Sequence, residues 1–419
     1  MTELEAWAER AWQGDLAGAS VHPGRVQVAL HPLDGGMAFQ SAFSNALVLR
    51  TEDGLAFVDT SSLFHAQAVY DGVRAWTQDP VRLGIYTHGH VDHVFGLRHF
   101  HAEAEERGAP PIEIWAHRAC PARFDRYQTT NGYNAHINQR QFGFPKPVFP
   151  REFRYPDRIV DARDTLEVGG VSIELFHDKG ETDDALWAWL PERRALYTGD
   201  FFIWASPNCG NPQKVQRYPV EWAAALRKMA ALAPEQLFPG HGPPIFGAQR
   251  VAEALGDAAA LLESLVHQTL DAMNAGANLD EVLRSVVVPR ELLERPYLRP
   301  VYDDPIFVVR GLWRLYGGWY DGDPSHLLPP GAAELAGAIA QLAGGASSLA
   351  EEARRRAQAG ELALASALVE YAWQSDAEAR GVRDARAEIY ARRAQEAQSL
   401  MAKGIFRAAV RESRPDDDA

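Results

Sequence analysis

The stretch of sequence that decides the fold is residues 81–93, VRLGIYTHGHVDH. It begins as a short apolar run, typical of a buried strand, and continues without a break into His88, His90, Asp92 and His93. Imidazole and carboxylate groups are the ligands that zinc prefers, and a loop after a strand can turn several side chains toward one point. We therefore expect His88 and His90 to hold one ion, while Asp92 and His93 face a second.

Two more polar residues come directly after predicted strands. Asp200, at the end of LYTGD, has a carboxylate that suits a ligand bridging two ions; a turn-capping aspartate is the alternative. His241, within FPGHG, has small neighbours that let the backbone approach a metal; the alternative is a structural histidine. Together with the first motif, these residues predict two Zn²⁺ per chain.

The rest of residues 1–247 alternates predicted strands with predicted helices, which favours an α/β fold. Helical periodicity occurs over residues 63–76 and 218–232. The pair Asp53-Gly54 between two apolar runs is typical of a hairpin, so the sheet is expected to be mixed. Apolar runs predict strands at residues 26–30, 44–49, 55–60, 112–115, 171–176, 186–190, 195–198 and 236–238.

The composition changes after about residue 247, where Ala, Leu, Glu and Arg become frequent and strand signals nearly vanish. Amphipathic helices are predicted at residues 251–273, 332–343, 349–359, 362–373 and 376–402. We therefore predict a catalytic domain over 1–247, a helical domain over 248–413 and a disordered tail over 414–419.

The bulk composition argues against several classes of protein. Asp and Glu (56) outnumber Lys and Arg (42), and the formal net charge of -14 disfavours a nucleic-acid partner. No apolar run is long enough to span a bilayer, and the acidic N-terminal residues do not read as a signal peptide. The two cysteines, Cys120 and Cys209, fit no metal-binding spacing. The expectation is a cytoplasmic protein with no membrane partner.

These motifs together resemble the alkylsulfatase branch of the metallo-β-lactamase superfamily. The histidine motif is specific for the superfamily, whereas C-terminal segments point to the branch. Those segments are NLDEVL (278–283), PVYD (300–303), WRLYGGWYDG (313–322) and SLMAKG (399–404). The resemblance implies an αββα sandwich followed by an all-α dimerisation domain, and hence a homodimer. Long alkylsulfatases also carry a sterol-carrier-like C-terminal domain, which we expect this chain to lack.

The resemblance also implies the remaining metal ligand. Superfamily members usually carry a histidine in a Gly-His-Thr context, and this chain has Gly-Glu-Thr at residues 180–182. The alkylsulfatase branch uses a carboxylate there, which makes Glu181 the predicted ligand to the ion held by His88 and His90. His177, four residues earlier, is the competing ligand if the loop is displaced.

The implied activity is hydrolysis of a small-molecule sulfuric ester by a metal-bound hydroxide, because two zinc ions lower the pKa of a shared water. Asp92 and Asp200 are the predicted catalytic residues, and Asp59 is a candidate partner for a ligating histidine. Asp200 stands where detergent-degrading alkylsulfatases carry Glu, which leaves the substrate open. The alternatives are a dizinc hydrolase of lactones, carboxylic esters or phosphoesters, and a non-catalytic helical interaction protein.

Two polar segments and one aromatic segment are predicted to line the substrate pocket. The alternative for each polar residue is a loop that merely covers the sheet. The predicted polar residues are Tyr133, Asn138, Arg140, Asn208, Asn211, Lys214 and Arg217. Phe202 and Trp204 directly follow Asp200 and are predicted to form an apolar wall.

Overall fold

A computed structural model of the protein describes residues 1–15 and 27–414. The described residues form two compact units. The first unit comprises residues 1–15, 27–131, 150–277 and 281–316, and the second comprises residues 132–149, 278–280 and 317–414. The predicted division at residue 247 stays a prediction. Val26 of the first predicted strand and residues 415–419 of the predicted tail lie outside the described residues.

The strands and helices of the described residues are numbered in chain order. The strands are β1 (Ala29–Leu33), β2 (Met37–Ser41), β3 (Ala46–Thr51), β4 (Gly54–Val58), β5 (Val81–Ile85), β6 (Glu113–His117), β7 (Arg158–Val160), β8 (Arg163–Val168), β9 (Val171–His177), β10 (Leu186–Leu190), β11 (Ala195–Tyr197), β12 (Gln236–Phe238) and β13 (Ile245–Phe246). The helices are α1 (Glu3–Trp12), α2 (Ala66–Trp76), α3 (Arg98–Glu106), α4 (Cys120–Thr129), α5 (Asn131–Phe142), α6 (Pro219–Ala231), α7 (Ala248–Asn274), α8 (Leu279–Ser285), α9 (Arg290–Leu293), α10 (Pro305–Gly317), α11 (Ala332–Leu342), α12 (Ala346–Gln358), α13 (Leu362–Ser375), α14 (Arg380–Glu396) and α15 (Leu400–Ser413).

The first unit contains two mixed sheets. Strands β1 to β7 form one sheet in sequential order, and the second has the order β13-β12-β11-β10-β9-β8. Strands β4, β5 and β6 pair in parallel, and so do β11 and β12; the neighbouring pairs β3–β4 and β10–β11 are antiparallel. The predicted hairpin is confirmed, because β3 and β4 join through a turn in which Thr51 opposes Gly54. Both sheets are therefore mixed, as the sequence predicts.

Helices cover the outer faces of the two sheets. One apolar cluster joins the inner faces, where Phe39 and Ile85 of the first sheet pack with Leu175 and Tyr197 of the second. A second cluster buries residues of α2, α3 and α4 against the first sheet. A third buries residues of α6 and α7 against the second sheet. The first unit is therefore the expected αββα sandwich.

The second unit is helical, and a buried arginine joins its last helices. Arg386 on α14 is 5% exposed and donates to Glu370 Oε1 at 2.8 Å and to the Ala409 carbonyl oxygen at 2.9 Å. Its guanidinium also lies 4.7 Å from the ring centroid of Trp373. These contacts join α13, α14 and α15.

Two sequence-based element predictions are corrected. Residues 376–402 form two helices rather than one, because Ala397 is extended and Ser399 caps α15 by accepting from the Ala402 amide at 3.2 Å. The polar segment around residues 132–140, for which the sequence shows no helical periodicity, is helix α5. Its buried face includes Asn134, Asn138 and Gln141, so the usual apolar periodicity is missing.

Helix α1 is absent from the predicted elements, which begin at residue 26. Its sequence signal is a capping box, in which the Thr2 hydroxyl accepts from the Glu5 amide and the Glu5 carboxylate accepts from the Thr2 amide. Across residues 1–15 and 27–414, we find no helix with both the length and the hydropathy that crossing a bilayer requires.

The close packing of α15 on α5 gives a test of the second unit. A Cβ added at Gly404 would lie 2.3 Å from the Gln141 carbonyl oxygen, so the backbones must separate. We expect Gly404→Ala to lower the free energy of unfolding by about 1–3 kcal/mol, measured by urea denaturation. Gly381→Ala is the matched control, because nothing lies within 4 Å of its added Cβ. Equal stability of the two variants would contradict the packing described.

Candidate metal centre

Polar side chains gather where parallel strands of both sheets end. The His88–His93 motif follows β5, while Asp200 and His241 follow β11 and β12. Glu181 lies in the loop between β9 and β10. Because the carboxyl ends of parallel strands meet at one edge of a sheet, these loops bring the side chains together. They form two groups of ligand atoms.

The first group contains His88, His90, Glu181 and Asp200, whose ligand atoms all lie within 4.8 Å of one another. His88 Nε2 lies 2.8 Å from His90 Nδ1 and 3.9 Å from Asp200 Oδ2. His90 Nδ1 lies 3.8 Å from Glu181 Oε2. Two imidazoles and two carboxylates therefore converge on one point.

The second group contains Asp92, His93 and His241. Asp92 Oδ2 lies 3.7 Å from His93 Nε2 and 3.5 Å from His241 Nε2. Asp200 Oδ1 lies 3.3 Å from each of the same two nitrogens. Asp200 therefore presents one carboxylate oxygen to each group.

The geometry and burial of these atoms fit divalent cations. Ligands at zinc–nitrogen and zinc–oxygen bond lengths in a tetrahedron lie about 3.4 Å apart, and most of the measured separations are 3.3–3.9 Å. Within the described residues, His93 Nε2, Glu181 Oε2 and Asp200 Oδ1 are buried without a hydrogen-bond partner. Burial raises the pKa of Glu181 to about 8, with Arg217 opposing the rise. A cation would stabilise these carboxylates.

Asp59 accepts hydrogen bonds from the loop that carries the His88–His93 motif. It accepts at Oδ2 from His93 Nδ1 at 2.7 Å and from the Tyr197 hydroxyl at 3.3 Å, while its Oδ1 accepts from the Thr87 amide at 2.7 Å. His93 is thereby oriented with Nε2 toward the second group, the partner role expected for Asp59. Asp184 Oδ2 accepts from the Gly89 amide at 2.9 Å and fixes the other end of the loop.

A glycine next to His241 makes the close approach of two loops possible. A Cβ added at Gly240 would lie 2.2 Å from Asp200 Oδ1 and 2.8 Å from the Gly199 carbonyl carbon. The amide of Gly240 also donates to the Gly199 carbonyl oxygen at 2.8 Å. Only glycine fits between the two loops, so the backbone itself brings His241 beside Asp200.

Two family models match this chain in tandem. The metallo-beta-lactamase superfamily model matches residues 42–241, and the alkyl sulfatase dimerisation model matches residues 278–416. The chain belongs to the alkylsulfatase-type branch of the metallo-β-lactamase superfamily. The first match contains both ligand groups.

Several proteins similar to this alkylsulfatase-type chain come from Pseudomonas. A linear primary-alkylsulfatase is 27% identical over 82% of this chain and 69% of its own length. An (R)-specific secondary-alkylsulfatase is 25% identical over 76% of this chain, which spans only about half (52%) of that relative. The solved structure of the stereoselective inverting sec-alkylsulfatase Pisa1 superposes with a TM-score of 0.82 at 20% identity, over 92% of this chain and 66% of that one. The fold is therefore that of an alkylsulfatase.

The loop after β11 brings cations to the carboxylates. Arg217 Nη1 and Asn208 Nδ2 both donate to Glu181 Oε1. Burial and Arg217 lower the pKa of half-buried Lys214 to about 8, while Asp92 and Glu181 oppose the shift. The ammonium group therefore lies within electrostatic reach of both ligand groups. Asn211, in the same loop, is buried and accepts from the Gln213 amide at 3.0 Å.

The other predicted substrate residues lie on helix α5 and in an apolar cluster of the first unit. Tyr133, Asn138 and Arg140 lie on α5 of the second unit, where Tyr133 is exposed and Asn138 is buried. Phe202 and Trp204 are buried in the cluster beneath α6 and α7. Their roles toward a substrate stay predictions.

His177, the competing ligand, is engaged away from both ligand groups. Its ring stacks on His117 with centroids 3.6 Å apart, and its Nδ1 lies 3.0 Å from the Ala185 carbonyl oxygen. The choice of Glu181 over His177 as a ligand stays a prediction.

Sequence reasoning missed Tyr302, which belongs to the first unit. Burial, followed by the charges of Glu181 and Asp92, raises the pKa of its phenol well above the usual value. The next residue, Asp303, accepts from the Gly210 amide at 2.7 Å and so joins this segment to the loop after β11. The sequence does not single out Tyr302, because residues 300–303 belong to the predicted helical domain, far along the chain from the ligands.

Metal removal gives a test of this centre. We expect Zn²⁺ to raise the Tm of chelator-treated protein, because at 100 times the Kd binding contributes about 2.7 kcal/mol to the free energy of unfolding. The rise should disappear as the pH falls toward about 5, since ligating histidines must be neutral. Differential scanning fluorimetry measures it. His241→Ala should reduce the rise and His326→Ala, an exposed histidine of the second unit, should not. An unchanged Tm at neutral pH contradicts a metal centre.

Proposed function

We propose that this chain is a dinuclear zinc hydrolase of small-molecule sulfuric esters. The observation that carries the proposal is the position of Asp200, whose two oxygens face two separate ligand groups. Mixed imidazole and carboxylate ligands favour zinc. Four of the similar proteins are named as alkylsulfatases or alkyl/aryl-sulfatases, and these names support a sulfuric ester as the substrate.

The chain would contribute both the metal ligands and the charges around the ester. The two ligand groups would hold zinc ions, which would supply a hydroxide nucleophile at neutral pH and polarise the substrate oxygen. Asp92 and Asp200 would offset the metal charge and orient the groups at the centre. Lys214 supplies the positive charge that a sulfate ester requires, in a protein whose net charge is -14. The Tyr302 hydroxyl, half-buried near the same carboxylates, would donate to the substrate.

A panel of chromogenic esters tests the reaction class. We expect turnover of an aryl or alkyl sulfate that exceeds turnover of the matching phosphate, acetate and lactone, measured as kcat/KM. Asp200→Asn should lower kcat/KM for the sulfate by about a hundredfold or more, because it removes the carboxylate charge whose two oxygens face both groups. Hydrolysis of the acetate or lactone alone would show that the chain is a hydrolase of other esters, and it would refute the sulfatase proposal.

Lys214→Gln separates charge recognition from the chemistry. It should raise the KM for sulfate esters by about tenfold, equivalent to ~1.4 kcal/mol, and leave that for a neutral ester unchanged. Equal effects on charged and neutral esters would show that Lys214 does not contact the anionic group.

We further propose that the chain forms a homodimer through its helical unit. Leu335 and Leu342 lie seven residues apart on α11 and project from one side of it, 41% and 91% exposed. Leu328, just before α11, is 94% exposed. The match of residues 278–416 to the alkyl sulfatase dimerisation model supports a second copy of the chain as the partner that covers this apolar surface.

A charge placed on this surface tests the dimer. Sedimentation velocity at micromolar concentration should show a dimer for the unmodified protein and a monomer for Leu342→Glu, because a carboxylate cannot be buried in an apolar interface without cost. Ile159→Glu, at an exposed position of the first unit outside residues 278–416, is the control and should stay dimeric. A monomeric unmodified protein, or a dimeric Leu342→Glu variant, contradicts the proposal.

A further inference from the structure

The two oxygens of the Glu181 carboxylate have different surroundings. Oε1 accepts hydrogen bonds from Arg217 Nη1 and Asn208 Nδ2. Oε2 lies 3.8 Å from His90 Nδ1 and, among the residues that the structure describes, has no hydrogen-bond partner. One oxygen is therefore occupied by donors, and the other is left facing the first ligand group.

Arg217 is buried as deeply as the carboxylate that it contacts. The side chains of Arg217 and Glu181 are 3% and 4% exposed. Arg217 Nη1 also donates to the Asn208 carbonyl oxygen, and the Tyr218 amide donates to the Gly180 carbonyl oxygen at 3.0 Å. The segments that carry Glu181 and Arg217 are thus joined through both backbone and side chains, which leaves the carboxylate one orientation.

The Arg217–Glu181 pair also limits the negative charge of the centre. The positive charge of the guanidinium offsets that of the Glu181 carboxylate, so the pair presents a ligand oxygen without adding net charge. The sequence predicts that Arg217 binds substrate, and that role stays a prediction. The hydrogen bonds of its Nη1 atom point to a further role, which is to orient the ligand Glu181.

We infer that Arg217 is a positioning residue, which holds Glu181 by a hydrogen bond at Oε1 so that Oε2 binds the ion shared with His88 and His90. The inference rests on the proposed dinuclear site. Partners that hydrogen-bond to a ligand typically set metal affinity over a range of about 10–100-fold. The hydrogen bond, and not the charge alone, is the feature that Glu181 requires.

Three substitutions at this position separate the hydrogen bond from the charge. Arg217→Met removes both, Arg217→Gln keeps a donor without charge, and Arg217→Lys keeps a donor with charge. We expect the Met variant to bind one of its two zinc ions about tenfold more weakly or worse. The zinc affinities of the Gln and Lys variants should stay within about threefold of that of the unmodified protein. Chelator competition measures affinity, and the d–d absorption of the cobalt-substituted protein reports altered coordination in the Met variant alone.

A buried arginine elsewhere in the first unit is the matched control. Arg74 pairs with Glu103, both side chains are 10% exposed, and neither belongs to a ligand group. Arg74→Met should lower the Tm and leave zinc affinity unchanged.

Each result bears on the inference in a defined way. The positioning role is wrong if the Arg217→Met and Arg217→Gln variants both have the zinc affinity of the unmodified protein or a higher one. Two zinc ions bound to these variants would still support the proposed function. If the Met variant does not fold, a tenfold difference in affinity between the Gln and Lys variants overturns the inference. An unmodified protein that binds no zinc refutes the proposed function, and the inference with it.

Discussion

The shared carboxylate of Asp200 imposes the strictest constraint on this structure. Each of its oxygens lies near nitrogen atoms of a different group, at 3.9 Å from His88 Nε2 and at 3.3 Å from His93 and His241 Nε2. A buried carboxylate is unfavourable unless positive charge or hydrogen bonds compensate for lost hydration. The surrounding loops must therefore bring ligands from both sheets to within a few ångströms of one side chain.

The αββα sandwich meets this constraint through strands that end at a common edge. Asn45, just before β3, donates from its side chain to the carbonyl oxygens of Pro239 at 3.0 Å and Gly242 at 2.8 Å. The hydroxyl of Tyr197 at the end of β11 donates to the Asn45 carbonyl oxygen at 2.8 Å. The two sheets are thus joined by hydrogen bonds beside His241, and the apolar cluster between them fixes the distance at which the loops meet.

Two positively charged side chains lie among the carboxylates of the centre. The sequence carries a net charge of -14, yet the loop after β11 places Lys214 and Arg217 near the ligand carboxylates. Because charges interact over short distances in a partly buried site, these two cations act on the ligand carboxylates more strongly than distant surface charges do. The two cations differ in what they contact. Arg217 contacts Glu181, whereas Lys214 lies within electrostatic reach of both groups of metal-ligand residues.

Sequence alone determined the fold class and the residues that converge on the centre, because ligand chemistry and strand periodicity are local properties. The motif at residues 88–93 identified a metal site, and strands such as β10 and β12 were predicted to the residue. Only the tertiary structure decided which groups surround that site. It turned Arg217 toward Glu181, brought Tyr302 near ligands more than 100 residues away in sequence, and made α5 a helix with a polar buried face. Such contacts depend on how loops from distant segments pack, and nothing in the local pattern of residues encodes that packing.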